Sequence, residues 1–230
     1  SDYCIRLDRV PETLDAEIAA NEKQREEWVK LFAIDEIKGF MGSNEGYSVP
    51  LTVDFLKANP FLVLDTQFFP VEFKQTLLAS IDNIDEQCDG LLINSENFQA
   101  LELLQEKYRN EIDTIYVDPP YNTSASEIAY KNSYKHSSWL SLLNDRLLEG
   151  KGLLKKEGIQ CTTIDDVEGS RLRILLEHVY DENPMVVGIR IKPSGRPIPN
   201  GFAISHEYAF FSRKDGSSAI RRLQHSEDQN

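Results

Sequence analysis

The sequence is short of three things, and each shortage removes a class of protein. Cysteine occurs three times, at Cys4, Cys88 and Cys161, an odd number without CxxC spacing, which leaves neither a disulfide framework nor a cysteine zinc site to expect. No apolar run approaches the roughly 20 residues of a membrane-crossing helix. The first residues, Ser1-Asp2-Tyr3-Cys4-Ile5-Arg6, have neither the basic start nor the apolar stretch of a secretory signal, so the cytoplasm is the expected location, with no membrane partner. Positive charge is also scarce: 25 Lys and Arg against 38 Asp and Glu give a net charge of −13. At first sight that argues against nucleic acid, whose phosphates are met mainly by Lys and Arg.

The distribution of charge reopens the question. Met185 to Arg222 holds seven basic and two acidic residues, while the remainder holds 18 basic and 36 acidic. A polyanion would therefore be held by the carboxy-terminal part. A chain of 230 residues is long enough for one good core with an appendage, or for two small domains. No repeat or low-complexity tract points to a solenoid.

Residues 1–89 read as a mainly helical region. Thr13 is placed to cap a helix running through Trp28 to Phe32, and Phe73, Leu77, Leu78 and Ile81 fall at helical spacing between Pro70 and Ile81. Acidic Asp82 to Asp89 reads as a solvated connector. From Gly90 short apolar runs alternate with amphipathic stretches: a strand at Leu91-Leu92-Ile93, a helix over Asn97 to Tyr108, and a strand at Thr114 to Val117. A helix over His136 to Leu154, a strand over Gly158 to Ile164 and a helix over Val167 to Tyr180 follow. This alternation predicts an α/β fold with a mainly parallel sheet and helices on both faces. Ligands in such sheets bind at the carboxyl ends of strands, so the loops after Ile93, Val117 and Ile164 should meet on one edge and carry the chemistry.

The loop after Val117 is Asp118-Pro119-Pro120-Tyr121-Asn122. Two prolines fix two φ angles and remove two N–H donors, leaving a stiff loop with carbonyls able to accept. Such a loop suits an exocyclic base amine, whose lone pair is delocalised into the ring. An acid and a proline carbonyl accepting from that amine favour its pyramidal form, while an aromatic ring stacks on the flipped base.

Leu91 to Leu101 together with Ile115 to Thr123 resembles the β-group DNA adenine N6-methyltransferases, particularly the modification subunits of type III restriction systems. The likeness continues through Tyr130, Tyr134, His136-Ser137-Ser138-Trp139-Leu140, Asp145-Arg146-Leu147 and Gly158 to Asp166, and extends weakly over Phe202 to Tyr208. It implies a partial Rossmann-like methyltransferase sheet and a catalytic loop of Asp118, Pro119, Pro120 and Tyr121. It further implies S-adenosylmethionine as cofactor, with Glu96, Asn97, Asp118 and Asp165 as the residues facing it, and double-stranded DNA as substrate, with Asn122, Lys192 and Arg196 as contacts. A restriction subunit and a second modification subunit are the implied protein partners, and no metal is expected. Two local alternatives stand beside these roles: Glu96 and Asp165 could simply cap helices, and His136 and Trp139, three apart on one helical face, could pack against the loop.

The resemblance divides the chain into a helical region at 1–89, a catalytic half at 90–183 and the start of a target-recognition region at 184–230. In β-type enzymes a Gly-x-Gly cofactor loop follows that recognition region, and nothing after Tyr208 resembles it. These residues alone are therefore expected to bind the cofactor poorly. The other functions in play are methylation of a different planar amine and a non-catalytic DNA-binding or assembly module.

Overall fold

The computed structural model describes residues 1–40, 43–122, 135–191, 193–195, 197 and 201–216. They fall into two compact units, Ser1–Leu91 and Leu92–Asn230.

The first unit contains β1 (Cys4–Arg6), α1 (Asp15–Ala20), α2 (Glu22–Phe32), α3 (Val53–Ala58), β2 (Val63–Asp65), α4 (Val71–Ala79) and α5 (Ile84–Gln87). β1 and β2 form an antiparallel ribbon with Ile5 opposite Leu64, and the helices bury Ile18, Trp28, Phe55 and Leu77 against it. The single helix expected from Thr13 to Phe32 is two helices. Asn21 interrupts it because its side chain accepts from the Gln24 N–H at 2.9 Å while its amide donates to the Phe68 carbonyl at 3.0 Å, a local alternative to helical bonding at which Asn excels. Trp28 and Gln24 then tie α2 to the ribbon, donating to the Val63 carbonyl at 2.7 Å and accepting from the Asp65 N–H at 2.7 Å. The acidic connector holds the short α5, which buries no residue.

The second unit contains α6 (Asn97–Tyr108), β3 (Ile112–Val117), α7 (His136–Leu153), β4 (Leu154–Ile164), α8 (Gly169–Tyr180), β5 (Met185–Arg190) and β6 (His206–Arg213). Its sheet has the order β3-β4-β6-β5. β3 and β4 are parallel, as suits two strands joined through a crossover helix, and β4–β6 and β6–β5 are antiparallel. The α/β class is thus present, but the sheet is mixed instead of mainly parallel, because β6 returns beside β4 in the opposite direction. β5 and β6, from the segment set apart at 184–230, belong to this same sheet.

Trp139, Leu143 and Leu147 of α7 and Leu172 and Leu176 of α8 share one buried cluster with Ile164 and Phe210. Alternation along paired strands puts Ile115, Gln160, Ile164, Tyr208 and Phe210 on that face, so α7 and α8 cover the same side of the sheet. Tyr180 of α8 reaches through to donate to Gln160 Oε1 at 2.7 Å. On the other face Tyr116 is 66% exposed.

The strand expected at Leu91-Leu92-Ile93 does not form, and Leu92 is 97% exposed. An apolar run becomes a strand only with a ladder partner and a face to bury, and among the described residues β3 pairs with β4 alone. No helix among the described residues is long and apolar enough to cross a membrane.

Candidate active site

The parallel pair brings two acidic loops to one sheet edge. Val117 ends β3 opposite Thr162, two residues before β4 ends at Ile164, so Asp118 leaves the sheet beside Thr163 and Asp165 follows at the same edge two residues further along β4. β6 begins at the same edge, where Tyr208 pairs with Ile164 and Glu207 lies just beyond. This is the strand end at which open α/β sheets bind ligands. Of the three loops expected there, those after Val117 and Ile164 meet, and the third has no strand to end.

The Asp118 loop is fixed from several sides. The Thr163 hydroxyl donates to Asp118 Oδ1 at 3.0 Å, leaving an exposed carboxylate held in place by its neighbouring strand. Pro119 is buried, and the fully buried Trp139 donates from its indole Nε1 to the Pro120 carbonyl at 2.7 Å. The two proline carbonyls therefore differ: Pro120 is engaged by the scaffold, and no described residue donates to Pro119. The reading of Trp139 as a packing residue against this loop agrees with its geometry.

Tyr121 sits between two carboxylates, its hydroxyl 3.4 Å from Glu207 Oε2. Burial raises its pKa to about 12, with the Glu207 and Asp118 charges adding to the rise and a Thr163 hydrogen bond opposing it. The phenol accordingly stays protonated as a donor across the neutral range.

Asn122 adopts φ 58°, a left-handed conformation that asparagine tolerates better than most residues. Its buried amide donates to Glu168 Oε1 at 2.6 Å. His136, the first residue of α7, places Nδ1 2.6 Å from the same oxygen, and Arg171 Nη1 lies 3.4 Å from Glu168 Oε2. Glu168 itself is completely buried at the start of α8.

Asp165 is buried and accepts from the Val167 N–H at 2.9 Å, which shapes the turn into α8. Glu96 realises the capping alternative: it accepts from the Gln99 N–H at 3.1 Å and from Arg146 of α7 at 2.6 Å. The backbone bond to Gln99, joined by Arg146, holds its carboxyl below the usual range against the opposing effect of desolvation. Asn97 is the first residue of α6, and no described contact joins Glu96 or Asn97 to the Asp118 loop. Lys192, Arg196, Tyr130 and Tyr134 lie outside the described residues. No group of acids, histidines and cysteines among the described residues could hold a metal ion.

Three residues essential to this geometry carried no separate signal. Thr163 reads as an ordinary strand residue, Glu207 as part of a strand, and Glu168 as an acid in a helix's first turn, where macrodipole complementarity alone would explain it. Only the tertiary structure reveals that Glu168 faces the Asp118 loop.

A family model described as DNA methylase (N6_N4_Mtase) matches residues 112–230. The chain is 32% identical over 104 residues to the probable type III restriction-modification enzyme HindVI Mod subunit of Haemophilus influenzae, covering 45% of this chain and 14% of that protein. It is 27% identical over 163 residues to the StyLTI Mod subunit of Salmonella typhimurium, covering 57% and 25% respectively. With the type II methyltransferase M.KpnI of Klebsiella pneumoniae it shares 30% identity over 148 residues, covering 60% and 35%. The chain thus spans a minor part of each of these relatives. A putative DNA modification methylase from Thermus thermophilus superposes with a TM-score of 0.40 at 16% identity, over 54% of this chain and 53% of that one.

Proposed function

The chain belongs to the DNA methylase family whose model covers residues 112–230, and on that premise we propose that it carries the catalytic loop of an adenine-specific DNA N6-methyltransferase. One observation carries the reading: the exposed Asp118 carboxylate, braced by Thr163, stands on a loop whose Pro120 carbonyl is anchored by Trp139, while no described residue donates to the carbonyl of Pro119. An acid and a carbonyl next to one another are the two acceptors an amine needs to give up its planarity. As positive character develops on N6 their attraction for it grows, so the pair stabilises the transition state more than the ground state. Tyr121 offers a ring beside these acceptors and keeps its hydroxyl proton, donating toward Glu207.

S-adenosylmethionine is the proposed methyl source, and when bound it supplies an electrophilic methyl on a cationic sulfonium. The site suits a cation: Asp118, Asp165 and Glu207 place three acids at one sheet edge. Asp118 is the exposed acid of the three, accepting among the described residues only from Thr163, while Asp165 shapes the adjoining turn. Glu96 already serves a helix N-terminus and Arg146, so its part is to fix α6 against α7.

Double-stranded DNA is the proposed substrate, with Asn122 acting on the loop and Lys192 and Arg196 on the phosphates. The Mod-subunit relatives favour a restriction subunit and a second copy of the modification subunit as partners of the full-length protein. The test is incubation of that protein with methyl-labelled S-adenosylmethionine and duplex DNA, followed by nucleoside analysis. N6-methyladenine is expected. Label found only in N4-methylcytosine would overturn the base assignment, and a folded protein that labels neither base would overturn the activity.

A further inference from the structure

Glu168 is a buried acid that the chemistry above does not use. A fully buried carboxylate is costly unless it is paired and hydrogen-bonded, and Glu168 is 0% exposed. Its partners have one thing in common. Oε1 takes the Asn122 amide at 2.6 Å and faces His136 Nδ1 at 2.6 Å, so a single oxygen joins the residue that follows Tyr121 to the residue that opens α7. A carboxylate only accepts, which puts the proton on His136 Nδ1. Oε2 faces Arg171 at 3.4 Å, one turn along α8, and the backbone carbonyl accepts the first helical bond from the Leu172 N–H at 2.9 Å. The acid is therefore rooted in the turn that follows β4 and points at the loop that follows β3. Trp139, on the same face of α7 as His136, holds Pro120 from above. Asn122 and Trp139 grip the loop on either side of Tyr121.

We propose that Glu168 is a positioning residue for the proposed methyl transfer, setting the Asp118-Pro119-Pro120-Tyr121 loop by clamping Asn122 and His136 to the start of α8. It touches neither substrate nor cofactor. The inference rests on the function proposed above, but its geometric part is measurable without any activity. Loss of the clamp lets the loop drift by an amount that matters to chemistry, since misplacing a reacting group by about 1 Å can cost on the order of 100-fold in rate.

The test uses the full-length protein with Glu168→Ala, Glu168→Gln, Asn122→Ala and the double variant Glu168→Ala/Asn122→Ala. The first readout is hydrogen exchange of the Trp139 indole N–H, which needs no catalysis. Both alanine variants should speed that exchange, the double variant should add little, and Glu168→Gln, which keeps an oxygen for Asn122 and His136, should restore part of the protection. The second readout is methylation, where kcat should fall on the order of 100-fold with little change in KM for DNA or cofactor. A residue that merely supported the fold would lower the amount of active protein without this split or the rescue by glutamine. Should Glu168→Ala fail to fold, Asn122→Ala must still show both effects. Parent-like indole exchange in Asn122→Ala, or additive effects in the double variant, would overturn the clamp. A parent protein that never methylates, with the exchange pattern intact, would instead overturn the function and leave the clamp standing.

Discussion

Replacing Trp139 with phenylalanine isolates the other support of the loop. The indole is completely buried and its N–H reaches the Pro120 carbonyl at 2.7 Å. A phenyl ring keeps most of the packing with Leu143 and Ile164 but cannot donate. The lost hydrogen bond contributes about 0.5–1.5 kcal/mol net, and a partly buried carbonyl left without its indole donor pushes the cost toward the upper end. The smaller ring also removes the outer part of the indole from the core, at about 0.8 kcal/mol for each buried carbon group and with further loss where the space stays empty. Together these give a destabilisation of about 2–4 kcal/mol, concentrated where α7 meets the sheet. Native-state hydrogen exchange of the amides of α7 and β4 reads that local free energy directly. A change below about 0.5 kcal/mol, the scatter of an ordinary surface substitution, would refute the reasoning that this indole anchors the loop.

Two further expectations concern Tyr121 and the first unit. An unfolded tyrosine ionises near about 10 and Tyr121 at about 12, so the folded state keeps its proton longer. Its contribution to stability is complete below a pH of about 10 and is lost as the pH rises toward about 12. Alkaline denaturation should therefore destabilise the parent more steeply over that interval than Tyr121→Phe, and equal slopes would contradict the assigned burial. Phe55, fully buried among Ile18, Trp28 and Leu77, should cost about 3–5 kcal/mol when cut to alanine, measured by hydrogen exchange in α2 and α3. A loss under about 1 kcal/mol would mean that this core collapses to fill the space.

Helical periodicity located α4, α6, α7 and α8 closely because each has an apolar stripe that packs on a neighbour, and the acid-proline-proline loop was legible because its chemistry lies in consecutive residues. The failures have physical causes too. Asn21 reads as a tolerable helix residue until its side chain finds both the Gln24 N–H and the Phe68 carbonyl. Leu91-Leu92-Ile93 has the composition of a buried strand, but composition does not supply a ladder partner. The direction of β6 beside β4 depends on a long connection whose course no local pattern encodes. Glu168 was invisible for a related reason: an acid at a helix start is ordinary in sequence, and only the meeting of two distant loops makes it a buried clamp. Glu96 offered two roles, and the backbone N–H of Gln99 with Arg146 took the carboxylate for the local one.

The proposed action of Asp118 on the amine in the transition state is open to single-turnover methylation of an adenine-containing duplex by Asp118→Ala. Removing one preorganised group of this kind typically costs a factor of roughly 100 to 1,000 in turnover, while an interaction made mainly in the transition state leaves DNA and cofactor affinity nearly unchanged. That split is expected in the full-length protein, with Asp118→Ala still folded and still binding both ligands. Methylation by Asp118→Ala at the parent rate would contradict it and leave the loop as a structural element of a binding module.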